Sequence, residues 1–115
     1  MNPRSYHIPK IASHIVHHLH TPDIVFVQEI QDDSGPRNDG VVSANRTLRT
    51  LANAIKRASG GVEYDFVNIE PEDNKDGGQP GGNIRVAYLF VLLTLHWGTS
   101  CSMCRNAGTD LKGFP

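Results

Sequence analysis

The sequence predicts a small α/β (α+β) domain with about three strands, two helices and an irregular C-terminal tail. Two stretches repeat apolar residues at helical spacing, and strand-like runs of β-branched and aromatic residues follow each of them. Helical and strand-like segments in alternation are typical of a sheet covered by helices. A length of 115 residues allows one small domain of this kind.

The first helix is expected to begin near Pro9, because proline suits the first turn of a helix. It ends by Thr21, since Pro22 disfavours helical backbone in the residue before it. Spacings of three and four residues define its apolar stripe, which consists of Ile8, Ile11, Ala12, Ile15, Val16 and Leu19.

The segment after this helix predicts a strand. Four consecutive apolar residues, Ile24–Val27, favour a strand buried on both faces. Gln28 and Glu29 follow, so a carboxylate emerges at the C-terminal end of the strand, which is where open α/β sheets commonly place ligands. Glu29 is therefore a candidate functional residue, with a solvated strand-end glutamate as the alternative.

A second amphipathic helix is expected between Ser43 and Gly60. Ser43 is a suitable N-cap, and the Gly60-Gly61 pair stops the helix. The apolar face contains Ala44, Leu48, Leu51, Ile55 and Ala58. Four basic residues lie mostly off that face: Arg46, Arg49, Lys56 and Arg57.

Two more strands are predicted, at Val62–Ile69 and Asn83–Leu93, with a glycine-rich loop between them. Alternation along the third strand places Arg85 on the face opposite to Ile84, Val86, Tyr88 and Phe90. The glycines before Arg85 allow a ligand to approach closely, and arginine offers a bidentate fork for phosphate. Arg85 is thus a candidate phosphate-binding residue. The alternative is an outward arginine after a turn.

The charge balance limits the functional classes. Eleven Lys and Arg oppose twelve Asp and Glu, the formal charge is −1, and the isoelectric point is about 6.6. These values exclude a strongly basic protein that coats nucleic acid and a polyacidic tail, but they leave open a local phosphate site. The longest apolar stretch is shorter than the roughly 20 residues of a membrane span. No signal-peptide pattern follows Met1, so we expect neither secretion nor membrane insertion from this sequence.

Weaker patterns carry less information. The histidines lie off the apolar stripe without a third ligand, and the Cys-x-x-Cys motif has no second ligand pair, so we interpret both as chance arrangements. The acidic segments do not fit a calcium loop and predict solvated loops. The histidines are His14, His17, His18 and His20, and the cysteines of the motif are Cys101 and Cys104. The acidic residues are Asp32, Asp33 and Asp39 in the first segment and Asp73 and Asp76 in the second. Residues 91–115 are expected to form a poorly ordered tail.

Two segments carry a family resemblance. Pro22–Ile30 resembles the strand reading PDIVxLQE in the endonuclease/exonuclease/phosphatase superfamily, which has the deoxyribonuclease-I-like fold. Gly77–Phe90 resembles the later strand, often GGNIRVAFLY, of its extracellular-nuclease-like branch. The helix and the strand between them come in the expected order, so the resemblance covers a partial domain of about residues 5–90.

The resemblance implies two packed β-sheets flanked by helices and a metal-dependent hydrolase of phosphoester bonds, most typically a nuclease. Its cofactor would be Mg²⁺, with Mn²⁺ or Ca²⁺ as alternatives, and its substrate nucleic acid or another phosphoester. Glu29 would be the catalytic, metal-binding glutamate. Arg85 and Asn83 would lie near the substrate groove and bind phosphate. Members of this branch are often secreted.

Several family residues have no counterpart in this chain. The family uses a catalytic Asn on a strand before the first helix, an Asp-x-Asn pair and a final Asp-His pair, and the chain shows none of them in the corresponding places. We therefore expect a partial domain that is inactive alone, with 91–115 outside the family pattern. The alternative is a non-catalytic binding or interaction module that retains half of the fold. It would bind phosphate-containing ligands through Arg85, or another protein through the exposed strand edge. Unpaired edges also favour self-association.

Overall fold

A computed structural model of the chain describes residues 1–92. It contains two helices and one three-stranded antiparallel sheet, so the predicted mixed α/β class is confirmed. The elements in order are α1 (His7–His17), β1 (Ile24–Ile30), α2 (Asn45–Ser59), β2 (Tyr64–Asn68) and β3 (Arg85–Val91). Val91 thus still belongs to a strand, and the predicted tail from residue 93 onwards lies outside the described residues. Within residues 1–92, neither helix has the length and hydropathy that a membrane crossing requires.

The sheet has the order β1-β3-β2, and β3 is antiparallel to both neighbours. Phe26 of β1 is opposite Tyr88 of β3, which is opposite Val67 of β2. Because β1 and β2 run in the same direction, their C-terminal ends lie at the end of the sheet where β3 begins. This end, which we call the strand-end site, brings together Ile30 and Arg85 as a cross-strand pair.

Both helices belong to one hydrophobic core on a single face of the sheet. The apolar stripes predicted for the helices are confirmed for the residues that pack in this core. Every second side chain along each strand also points into the core. The main core residues are Ile8, Ala12, Ile15, Leu48, Leu51 and Ile55 from the helices and Val25, Val27, Ile30, Tyr64, Ala87 and Leu89 from the strands. Leu19 was expected on the stripe, but it is exposed because α1 ends at His17, before it. Ala58 was expected on the apolar face of the second helix, but it is exposed in the last turn of α2.

The prediction that β1 is buried on both faces is wrong for the described residues. Val25 and Val27 are buried, whereas 59% of Ile24 and 65% of Phe26 are exposed. The reason is that the helices cover only one side of the sheet. The uncovered side, which we call the open face, carries seven large apolar residues: Ile24, Phe26, Val67, Ile69, Val86, Tyr88 and Phe90.

The ends of the elements differ from prediction by a few residues. α1 begins before Pro9, and after it His20 and Thr21 adopt left-handed backbone with φ of 56° and 47°. β2 and β3 are shorter than the predicted Val62–Ile69 and Asn83–Leu93. α2 ends as predicted, since Gly60 takes the left-handed conformation with φ of 77° and donates its N–H to the Lys56 carbonyl.

The start of α2 is capped from a distant loop. Ser43 was expected as the N-cap, but Ala44 occupies that position and makes no side-chain cap. Instead Asp33 Oδ1 accepts hydrogen bonds from the backbone N of Thr47 (2.8 Å) and from its Oγ1 (3.2 Å). An aspartate at a helix N-terminus satisfies free N–H groups and interacts favourably with the helix dipole.

Candidate functional site at the sheet end

Glu29 lies in an irregular part of β1. The register shifts between Val27 and Ile30, and Glu29 has a φ of 54°, which is uncommon outside glycine. Bulges of this kind re-aim side chains next to functional sites. Here Gln28 and Glu29 are both exposed, and Ile30 returns to the buried face opposite Arg85.

A hollow of about 410 Å³ lies beside Glu29, and polar side chains from the N-terminal segment and β1 line it: Asn2, Ser5, His7, Gln28 and Gln31. The Met1 ammonium group donates a hydrogen bond to the Glu29 carbonyl oxygen (3.0 Å). Burial lowers the pKa of this ammonium below its usual 8.0, and the nearby Glu29 charge opposes the change.

The described residues hold no cluster of metal ligands. Within residues 1–92, no group of three or more His, Cys, Asp or Glu side chains is close enough together to hold a metal ion. Mg²⁺ takes about six oxygen ligands, usually one or two carboxylates together with waters and substrate oxygens. Glu29 offers one such carboxylate, and its predicted role in holding Mg²⁺ stays a prediction.

Arg85 is a buried cation. Its residue is 7% exposed. It lies on the face opposite to Val86, Tyr88 and Phe90, as the alternation predicted, and the alternative of an outward arginine is wrong because the helices cover this face. Nη2 donates to the Asn83 carbonyl (3.0 Å) and Nη1 to Asn68 Oδ1 (3.4 Å), while the buried Nε has no hydrogen-bond partner among the described residues. In that part of the chain, no carboxylate lies within 4.0 Å of the guanidinium.

The electrostatics of Arg85 follow from this environment. Burial lowers the pKa of Arg85 below its usual value, and the carboxylates of Asp32, Glu70 and Asp33 oppose the change in that order. Arginine nevertheless stays protonated in proteins. The strand-end site therefore holds a permanent positive charge. Its buried Nε has no partner among the described residues, and carboxylates compensate the charge only from a distance.

Asn83 connects two loops to the start of β3. It is 1% exposed, and its Nδ2 contacts the Val41 carbonyl (2.9 Å), Asp73 Oδ1 (2.9 Å) and Asp32 Oδ2 (3.3 Å). Its Oδ1 accepts a hydrogen bond from the backbone N of Asn74 (2.8 Å). The polar atoms of Asn83 are engaged within the protein, so this side chain positions the chain before Arg85. Its predicted contact with phosphate stays a prediction.

The prediction that the first acidic loop is solvated is wrong for Asp32, which is fully buried. Asp32 Oδ1 accepts hydrogen bonds from the backbone N and the Oγ of Ser34, both at 2.9 Å. Together with Asn83, these donors replace the water that an isolated carboxylate needs. The Asp32-Asp33-Ser34 sequence is typical of an Asx-turn, in which the aspartate side chain accepts a hydrogen bond from the backbone two residues later. This local pattern is visible in the sequence and could have predicted the turn.

The glycine-rich loop before Arg85 approaches another loop rather than a ligand. Gly81 has a φ of 75°, and a Cβ there would come within 2.7 Å of the Arg37 carbonyl carbon and the Asn38 nitrogen. The backbone N of Gly81 donates to Asn74 Oδ1 (2.7 Å). The glycine predicted to admit a ligand therefore allows two backbone segments to pack together.

A second hollow, of about 530 Å³, lies beside Arg85 where the strand-end site meets the open face. Its lining combines apolar walls with an amide and two carboxylates, and includes Asn68, Ile69, Glu70, Asp76, Ile84 and Tyr88. Glu29 does not line this hollow, and Arg85 does not line the one beside Glu29. The predicted site residues thus reach one end of the sheet but face two separate hollows.

No family model, curated protein or solved structure matches this chain. The function must therefore be argued from the residues and the geometry of the strand-end site.

Proposed function

We propose that this chain carries part of the catalytic fold of a phosphoester hydrolase of the endonuclease/exonuclease/phosphatase superfamily, with nuclease as the favoured activity of the complete form. One observation carries the proposal. The two segments that hold the family-like motifs are far apart in the sequence, yet the Ile30–Arg85 pair joins their functional ends at one end of one sheet.

The environment of Arg85 supports recognition of a phosphate group. A buried guanidinium with no carboxylate within 4.0 Å among the described residues gains from an anion, because burial strengthens the attraction and the planar fork matches phosphate oxygens. Asn68 and the Asn83 carbonyl orient the side chain at the edge of the adjacent hollow. The substrate class that follows is nucleic acid or another phosphoester.

The chain alone is proposed to be inactive. Hydrolysis of a phosphoester needs an activated water and charge stabilisation at the phosphoryl group. Glu29 provides one carboxylate in a separate hollow, and the hollow beside Arg85 offers Glu70 and Asp76, without a cluster of three or more His, Cys, Asp or Glu among the described residues that could hold a metal ion. Mg²⁺, or Mn²⁺ or Ca²⁺ in its place, would be the cofactor of the complete form and would stabilise charge at the phosphoryl group.

A hydrolysis assay on the purified 115-residue chain tests this proposal. Incubation with Mg²⁺, Mn²⁺ or Ca²⁺ should release no product above the protein-free rate from plasmid DNA, RNA or bis(p-nitrophenyl) phosphate. Cleavage of any of these substrates would contradict the proposed inactivity. It would support the family assignment if chelation of the metal abolishes it and Glu29→Gln removes it. Glu72→Gln, at an exposed residue, is the control and should leave such cleavage intact.

The genomic DNA downstream of the Phe90 codon provides an independent test. An in-frame Asp-x-Asn pair followed by an Asp-His pair there would support a hydrolase whose remaining residues are encoded beyond this point. Their absence from both the genomic DNA and the transcript would favour the second candidate function.

The second candidate is a non-catalytic interaction module. The open face favours it, because seven large apolar residues on one side of a sheet are typical of a surface that another protein layer covers.

A further inference from the structure

The open face is an apolar surface that no element of the described residues covers. The exposed fractions of its seven side chains range from 36% for Phe90 to 87% for Ile69 and correspond together to about four whole side chains. At about 150–200 Å² each, the lower part of the aromatic range because four of the seven are Ile or Val, the open face exposes roughly 600–800 Å². Monomeric proteins rarely leave a contiguous patch of that size in water.

The open face is also almost free of charge. Cross-strand pairing places two rows on it, one formed by Phe26, Tyr88 and Val67 and the other by Ile24, Phe90 and Asp65. Asp65 is the charged member of these rows, and Arg49 Nη2 of the same chain lies 3.4 Å from its Oδ1. The single carboxylate of these paired rows is therefore matched by Arg49 in each copy, and Glu70 and Asp76 lie at the edge of the face, in the hollow beside Arg85.

We infer that a second copy of this chain covers the open face, so that two three-stranded sheets pack against each other about a two-fold axis. The area of roughly 600–800 Å² per copy is close to the ~800 Å² per partner of a standard stable interface. An apolar, self-complementary patch is what a symmetric dimer requires, because the same surface must serve both subunits.

The arrangement follows from the sheet geometry. Two sheets that pack face to face lie about 10 Å apart, with their strands inclined by roughly 30°. β3 is the central strand, and the Phe26 and Tyr88 rings form its main aromatic contact with β1, with centroids 4.2 Å apart. Tyr88 is therefore placed next to the two-fold axis. Pairing through the outer edge of β1 or β2 would leave the whole apolar area in water, so packing of the open faces is favoured.

Sedimentation velocity and light scattering on the 115-residue chain test the inference. Between low micromolar and submillimolar concentration, the mass should rise reversibly from 12.6 kDa to twice that value. Phe26→Lys and Val67→Lys should each weaken dimerisation by about a hundredfold or more, because each substitution enters a symmetric interface twice. Leu19→Lys is the matched control, since Leu19 is exposed but lies outside the open face, and it should leave the dimer unchanged.

Three outcomes would overturn the inference. The first is a monomer at every concentration, and the second is a series of open-ended oligomers without a dimer plateau. The third is a dimer that tolerates both lysine substitutions, with hydrogen exchange showing new amide protection along the outer edge of β1 or β2. Far-UV circular dichroism verifies that each variant is folded, and if Phe26→Lys unfolds, Val67→Lys decides. The inferred dimer does not rest on the proposed hydrolase function. The mass measurement tests only the dimer and the cleavage assay tests only the hydrolase, so either proposal can be contradicted while the other stands.

Discussion

Arg85 and Asn83 are neighbours in one short motif, but their surroundings differ. The guanidinium of Arg85 retains a buried Nε without a partner in the described residues, whereas each polar atom of the Asn83 side chain is hydrogen-bonded within the protein. The motif predicted both as phosphate ligands. The hydrogen-bond partners of Asn83 lie in loops that are 42 and 10 residues away in the sequence. The motif itself therefore could not show that Asn83 is engaged within the protein while Arg85 keeps a donor without a partner within residues 1–92.

Asn83→Ala should lower the free energy of unfolding by about 2–4 kcal/mol, because it removes partners from Asp32, Asp73 and the Asn74 N–H at a buried position. Urea denaturation followed by circular dichroism measures the change. Asn53→Ala on the exposed side of α2 is the control and should shift the free energy by no more than about 0.5 kcal/mol. Equal losses in the two variants would show that Asn83 does not hold the loops together.

At the scale of elements, periodicity predicted the two helices and the three strands, because each buries a stripe or a face that its own sequence defines. α2 shows this most clearly, since Leu48, Leu51 and Ile55 of its predicted apolar face are buried and its Gly60 stop is confirmed, whereas Ala58 is exposed. Its cap could not be predicted in the same way. Asp33 reaches Thr47 across 14 residues, a contact that exists only after the acidic loop has folded onto the helix.

The glycine-rich loop offers a matched pair of substitutions. Gly81 and Gly78 both have positive φ, 75° and 70°, so alanine at either position costs about 1–2 kcal/mol of backbone strain. Only at Gly81 does a Cβ also collide with backbone atoms of Arg37 and Asn38. Gly81→Ala should therefore lower the free energy of unfolding by at least about 1 kcal/mol more than Gly78→Ala, as measured by chemical denaturation. Indistinguishable values would mean that the two loops do not pack as closely as described.

At the scale of the whole molecule, the described residues bury their apolar groups on one side of the sheet only. Small domains bury a limited fraction of their surface, and their stability is correspondingly small. Individual tertiary hydrogen bonds therefore matter, and Tyr64 makes one of them. Its hydroxyl donates to the Pro22 carbonyl and joins β2 to the segment that precedes β1.

The stability of the molecule should fall in alkaline solution partly through Tyr64. Burial, assisted by the Asp23 carboxylate, raises the pKa of Tyr64 above its usual 10.0. A folded-state pKa above the unfolded value means that the contribution is complete below about pH 10 and is lost as the pH rises through the folded-state value. Tyr64→Phe should remove this part of the alkaline loss and cost about 1 kcal/mol at neutral pH.

Urea denaturation between neutral pH and pH 11 measures this dependence. Tyr6→Phe, at a residue that is 74% exposed, is the control and should follow the wild-type curve. A Tyr64→Phe curve parallel to the wild type throughout would exclude Tyr64 as the source.

The sequence by itself determined the number and type of the elements, the face of each helix that is buried, and the placement of Glu29 and Arg85 near strand ends. These features follow from the spacing of apolar residues and from backbone preferences, and both are set by residues that are close together in the sequence. The tertiary structure alone decided that one face of the sheet is left open by residues 1–92, that Asp32 is buried, and that Glu29 and Arg85 line separate hollows. Those properties depend on which layers cover the sheet and on hydrogen bonds between distant loops. The local pattern at Asp32 indicates a turn, but it does not encode the burial of that turn.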